Sequence, residues 1–115
     1  MPGRERVAAL IERVEQGRYV EALQEFYTDD ATMQENGRAP RVGLKKLIEH
    51  ERGVMAAFKE VRTLPVKTWL VDGDNAVIHW VFEFTRHDGG RFRMDELTMQ
   101  RWRSEERRVG KECRL

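Results

Sequence analysis

Residues 62–102 read RTLPVKTWLVDGDNAVIHWVFEFTRHDGGRFRMDELTMQRW, and this stretch decides the fold. Its apolar residues recur at every second position, the period of a strand with one covered face. Three strands are expected, over 62–71, 76–87 and 91–102. Asp72-Gly73-Asp74-Asn75 and Asp88-Gly89-Gly90 divide them, and both segments are hairpin chemistry because Gly and Asn tolerate positive φ. Pro65 has no N–H to give to a ladder, so it belongs at a strand end or a bulge.

Upstream of Glu60 the period is 3.6 instead of 2. Val7, Leu10, Ile11 and Val14 make one helical stripe over 4–16, and Gly17 supplies the stop. Tyr19, Ala22, Leu23 and Phe26 repeat the spacing in a shorter helix that Thr28-Asp29-Asp30 ends. A short strand over 31–35 and a loop, Asn36-Gly37-Arg38-Ala39-Pro40, follow. A third helix is expected over 43–59, with Leu44, Leu47, Ile48, Val54, Met55 and Phe58 as its stripe. Three N-terminal helices followed by a meander predict an α+β domain, the helices packed on one face of a curved antiparallel sheet.

A chain of 115 residues has room for one such domain. The net charge is +1, from 21 basic and 20 acidic residues. Residues 104–115 hold four of the basic and three of the acidic ones, so the rest carries 17 of each sign. A charge-balanced domain does not fit phosphate-backbone binding, and no nucleic-acid partner is expected. The single cysteine, Cys113, allows no intrachain disulfide and no cysteine-based metal site. The N-terminus lacks a signal peptide's apolar core, and no apolar run approaches the roughly 20 residues of a membrane helix. A soluble, cytoplasmic protein with no membrane partner is the expectation. Residues 104–115, SEERRVGKECRL, show no alternation and read as a charged tail foreign to the domain, such as a cloning scar or a sequence-assembly artefact, or else as a native charged tail.

Function is sought where polar groups interrupt apolar faces. On a helical wheel with Leu44 at zero, the third helix's apolar arc runs from about 280° to about 40°, and Glu51 falls inside it at about 340°. A carboxylate there must be paired, protonated or facing a wet cavity, because burying it alone costs several kcal/mol. It is either a structural contact or part of a pocket wall. His50, about 100° away, is expected at the rim or surface. Glu35 extends the row of Ala31 and Met33; it is either a solvated strand end or a carboxyl of raised pKa suited to general acid–base work. In 91–102, the row Phe92, Met94, Glu96, Thr98, Gln100, Trp102 is apolar at its ends and polar in the middle, as a pocket wall would be. The opposite row, with Leu97 and Met99, keeps the reverse assignment open. In 76–87, Ile78, Trp80, Phe82 and Phe84 face the core or pocket, and Trp80 needs a partner for its indole N–H. Val77, His79, Val81, Glu83 and Thr85 suit sheet packing in a dimer. The histidines lack metal-ligand spacing, and no phosphate loop, nucleophile elbow or Cys–His pair is present.

Phe26-Tyr27-Thr28-Asp29-Asp30-Ala31-Thr32-Met33, a loop with Pro40 and Gly43 opening a helix resemble the signature of the nuclear transport factor 2-like superfamily. The chain is similar to its SnoaL-like polyketide cyclases and ketosteroid isomerases over about residues 5–103. The resemblance implies a cone-shaped α+β barrel around an apolar pocket. It places Glu35 where ketosteroid isomerases carry their proton-transferring Asp, and Glu51 where they carry a pocket tyrosine. Ile11 and Thr98 stand where the isomerases keep oxyanion donors, which disfavours steroid isomerase activity. The family expects one more strand after Trp102, where the charged tail stands; the last strand is therefore expected to be missing or altered, leaving an unpaired sheet edge.

The resulting expectation is a protein that binds a small, mostly apolar organic molecule. If it is catalytic, it is a cofactor- and metal-independent isomerase, cyclase or dehydratase with Glu35 as base. Tyr27, Glu51, Met55, Phe58, Trp80, Glu96 and Gln100 would line the pocket, and the sheet face would form a homodimer. The alternative is a non-catalytic ligand-binding or dimerisation module.

Overall fold

The computed structural model describes residues 3–115, which form three helices and seven strands. Helix α1 (Gly3–Glu15) buries Val7, Leu10 and Ile11. It ends where Gly17 takes φ 78°, with Gly17 N–H bonded to the Val14 carbonyl at 2.9 Å and Arg18 N–H to that of Arg13 at 3.2 Å. These two bonds close off orphan carbonyls and turn the chain into α2 (Tyr19–Phe26), which buries Tyr19, Ala22, Leu23 and Phe26.

The chain then leaves helix abruptly. Tyr27 is already extended, and strand β1 spans Tyr27–Glu35. The expected helix end at Thr28-Asp29-Asp30 thus lies inside a strand longer than the five residues anticipated. After the loop, β2 (Arg41–Val42) pairs with Thr32 and Met33 of β1. Gly43, at φ 98°, joins it to α3 (Leu44–Ala57), and its N–H reaches the Ala31 carbonyl at 2.8 Å. A side chain at that position would be strained, because L-residues rarely adopt such a φ.

The expected strand over 62–71 is two strands, β3 (Glu60–Thr63) and β4 (Trp69–Asp72). Pro65 lies in the break, and both strands pair with β5 (Asn75–Thr85) at different points along it. β5 pairs along its full length with β6 (Arg91–Arg103). The row Ile78, Trp80, Phe84 is buried on β5, as is Thr98, Gln100, Trp102 on β6, so the inward faces are those the alternation indicated. Trp80 Nε1 finds Thr98 Oγ1 at 3.1 Å across that pair.

Two expectations need correcting. Residues 104–115 do not leave the sheet unfinished: Arg108–Arg114 form β7, seated between β1 and β6. Val109 and Glu112 of this strand are buried. The sheet is also mixed, since β7 runs parallel to β1 and antiparallel to β6. Its order is β2-β1-β7-β6-β5-β3, with β4 also on β5, and it is open rather than closed. The three helices cover one face, where Phe26, Leu10 and Leu47 meet Ile78 and Trp102 in the core. Among the described residues, no helix is long and apolar enough to cross a membrane.

Candidate functional site

A hollow of about 320 Å³ lies between the helices and the concave side of the sheet. Its apolar walls follow from the two periodicities. Leu10 and Val14 of α1 and Tyr19, Ala22 and Leu23 of α2 face inward at helical spacing. Trp80, Phe82 and Phe84 face inward at strand spacing, with Met94 of β6 beside them. The three rings run along the strand as one surface, Trp80 to Phe82 at 6.0 Å and Phe82 to Phe84 at 6.3 Å between centroids.

The polar groups gather at the other wall. Glu35, His50, Glu51, Glu96, Glu112 and Arg114 all border the cavity, supplied by β1, α3, β6 and β7. Four of the residues read from the sequence are therefore brought together with Glu35: Tyr27, Glu51, Trp80 and Glu96. Three are not. Met55 is 41% exposed on α3, a helix whose buried residue is Leu47. Phe58 is not in the cavity lining; it packs edge-on and tilted against Phe92 and Phe84, at 5.6 and 4.8 Å between centroids. Gln100 is wholly buried under the floor, where its amide receives Trp102 Nε1–H at 3.0 Å and donates to Glu112 at 2.8 Å.

The carboxylates differ in their surroundings. Glu35 accepts a hydrogen bond from Arg41 Nη1 at 2.9 Å, and His50 Nε2 stands 3.9 Å from the same oxygen. Partial burial pushes the Glu35 carboxyl upward, but the bond and charge of Arg41, with Arg114 and His50, outweigh it and hold it below the ordinary value. The expected raised pKa at Glu35 is thus reversed, and Arg41 is the reason. Glu51 has no such partner; burial raises it, Arg114 opposes, and the charges of Glu112 and Glu35 add to the rise. Glu96 is raised for the same leading reason, with Arg114 again opposing. His50 is lowered by burial and by Arg41, which keeps its imidazole neutral at pH 7. It borders the cavity with its side chain about a third exposed, consistent with a rim position.

Glu112 is a hub. It accepts Tyr27 O–H at 2.6 Å, Gln100 Nε2–H at 2.8 Å and Arg114 Nε–H at 3.0 Å. Tyr27 is pushed well above its ordinary value by burial and by the Glu112 charge, so it stays a donor. Arg114 also stands 3.6 Å from Glu96. Sequence reasoning missed Arg41, Glu112 and Arg114. The first lies in a two-residue strand too short to show a period, and the other two lie in the segment set aside as a tail. Among the described residues, no group of three His, Cys, Asp or Glu side chains is placed to hold a metal ion.

Helices roofing an open, curved sheet with a hollow between them define the nuclear transport factor 2-like class. Within that class, a family model described as a SnoaL-like domain matches residues 7–109, and the chain belongs to that family. Comparison with curated proteins finds no match. Solved structures share the fold. One is TerC co-crystallised with polyporic acid, 15% identical, covering 100% of this chain and 91% of that one at a TM-score of 0.80. Another is a protein of ketosteroid isomerase-like fold from Catenulispora acidiphila in complex with trimethylamine, 16% identical, covering 95% and 83% at 0.78. A third, from Mesorhizobium loti and named for SnoaL-like polyketide cyclases, is 18% identical and covers 95% and 97% at 0.75.

Proposed function

We propose that the cavity binds a small, mostly apolar carbonyl compound and moves a proton next to its carbonyl group. The observation that carries this reading is the opposite displacement of two carboxyls on one cavity wall. Glu35 is held ionised by Arg41, whereas burial drives Glu51 toward its protonated form. Two carboxyls pushed apart in this way divide into a base and an acid. Glu35 takes the proton from the carbon beside the carbonyl. Glu51, in the protonated fraction that burial enlarges, donates a hydrogen bond to the oxygen on which negative charge develops. The rings of Trp80, Phe82 and Phe84 would hold the apolar part of the molecule. No cofactor or metal is called for by this step. That TerC was crystallised with polyporic acid supports a hollow of this fold holding a small organic molecule.

The test is solvent exchange. In deuterium oxide, a panel of small ketones such as cyclohexanone and 2-tetralone, followed by proton NMR, is expected to lose the signals beside the carbonyl faster with the protein than without it. Glu35→Gln should abolish the gain. Its thermal midpoint should move by no more than about 4 °C, since a partly exposed ion pair with Arg41 is worth about 1 kcal/mol. A large fall in stability would mark Glu35 as structural.

One observation favours a non-catalytic binding module instead. Three donors of the wall are already engaged: Tyr19 with Thr63 at 2.8 Å, Tyr27 with Glu112 and Trp80 with Thr98. That leaves the stabilisation of an enolate to Glu51, Glu96, His50 and Arg114. Binding of the ketones without exchange at any pH would decide for this module.

A further inference from the structure

The charges around the cavity do not balance. Glu35, Glu51, Glu96, Glu112 and Asp95 border it, and Asp95 is already paired with His79 at 3.2 Å. Two cations answer them, Arg41 taking Glu35 at 2.9 Å and Arg114 taking Glu112 at 3.0 Å. Among the described residues, no hydrogen bond or ion pair reaches Glu51. Glu96 is served only by the same Arg114, at 3.6 Å, and its buried Oε1 makes no hydrogen bond. Its side chain is 11% exposed. The two carboxylates are near enough that the charge of one weighs on the other.

One unpaired carboxylate and one that shares its only cation with Glu112, in a partly closed, apolar hollow, cost free energy until a proton or a further cation joins them. A proton neutralises each one separately. An organic ammonium group answers both at once, and aromatic rings nearby lower the cost of stripping its water. Trp80 and Phe82 supply such rings, 6.0 Å apart and inclined by 20°. We propose that the natural ligand of this cavity is an organic cation: a small carbonyl compound bearing a protonated or quaternary amine. The ammonium sits between Glu51 and Glu96, both ionised when it is bound, and takes over from the Glu51 proton the stabilisation of negative charge on the carbonyl oxygen; the apolar body lies against Trp80 and Phe82. The proposal rests on the reading of the hollow as a binding site and names the class of molecule it takes. None of its four residues belongs to 104–115. The charges which that segment brings to the cavity, Glu112 and Arg114, pair with each other at 3.0 Å, so the preference does not depend on it.

Choline and 3,3-dimethylbutan-1-ol test the charge alone, because they share a shape and differ in a quaternary nitrogen against a carbon. Titrations of the full chain are followed by amide chemical shifts. Choline is expected to bind about tenfold tighter or more, a ratio worth roughly 1.4 kcal/mol. Glu51→Gln and Glu96→Gln, which keep the side-chain shape, should each remove most of that ratio and leave the alcohol's affinity within about twofold. Binding of the alcohol with equal or weaker binding of choline overturns the cation while leaving the binding site. Shifts with neither compound overturn both together. A choline preference with no exchange of any ketone supports the cation and ends the proton-transfer reading.

Discussion

Strands β6 and β7 lie side by side and reach their places by different means. β6 alternates: Thr98, Gln100 and Trp102 are buried, and the residues between them are exposed. Its side chains choose its face. β7 buries Val109 and Glu112, three residues apart, and its register slips against both neighbours. Backbone hydrogen bonding is indifferent to sequence, so a slot with strand edges on both sides accepts a segment that side-chain patterning would not select. What ties the end of β7 to its neighbours is polar in place of apolar packing: Glu112 accepts from Tyr27 of β1 and Gln100 of β6, and Arg114 stands 3.6 Å from Glu96 of β6. We propose, on this contrast, that residues 104–115 are foreign to the domain and fill the place of its own last strand.

Deleting 104–115 has the largest expected effect. It bares the facing edges of β1 and β6 and uncovers Tyr27, Gln100 and Trp102, so the cooperative thermal transition seen by circular dichroism should disappear. Resequencing the gene from genomic DNA past the codon for Arg103 is expected to return a different continuation, with apolar residues alternating. A chain carrying it should melt higher than this one. The same codons found again, or a lower melt, would end the proposal of a foreign segment.

The ion pair gives the next largest effect. Arg114→Met alone leaves Glu112 charged and buried among Tyr27 and Gln100, at a cost of about 3 kcal/mol. Adding Glu112→Gln, whose amide oxygen still accepts from Tyr27, should recover most of that loss. Urea titrations of the two single variants and the double one measure the coupling. A fully additive double variant would show that the Glu112–Arg114 pair adds nothing beyond its two separate side chains.

The same contrast accounts for what could be read in advance. β5, β6, α1 and α2 were legible because each covers one face over enough residues for a period to show. Glu51 was legible because an acid stood inside an apolar arc. Arg41 was not: two residues of β2 carry no period, and its role depends on a loop bringing it within 2.9 Å of Glu35. Without Arg41, the environment of Glu35 is misjudged in sign. The start of β1 was missed because the tertiary pairing of Tyr27 with Val109 overrides local preference. Met55 and Phe58 continued a stripe that the structure no longer buries beyond the middle of α3.

Glu51→Gln should act in a pH-dependent way. Its folded value lies above the ordinary 4.5, chiefly through burial. The folded state then holds more protons than the unfolded one between the two values, so stability falls as pH rises through that window. The neutral amide escapes this loss. The variant is expected to melt about 4 °C higher than the wild type at pH 7.5, what roughly 1 kcal/mol is worth in a domain this size, and no higher at pH 4. An equal gain at both values would mean that Glu51 is not the titrating group.

The smallest effect on the monomer is expected on the outer face of the sheet. Leu97, Met99 and Leu70 are 45%, 53% and 64% exposed there. His79 and Asp95 pair beside them at 3.2 Å, so this histidine belongs to the sheet surface and not to the cavity. Leu97→Lys removes little buried area and should leave the urea midpoint within about 0.5 kcal/mol of wild type. We propose that this face, apolar residues interspersed with both signs of charge, Arg93 and Arg101 beside Asp95 and Glu83, pairs with its own rotated copy in a two-fold homodimer. Sedimentation velocity should therefore show a dimer for the wild type and a monomer for Leu97→Lys, with the fold unchanged. A wild-type chain that sediments as a monomer at 100 micromolar, about the top of a useful range for a specific interface, would remove the dimer from the account and leave the cavity untouched.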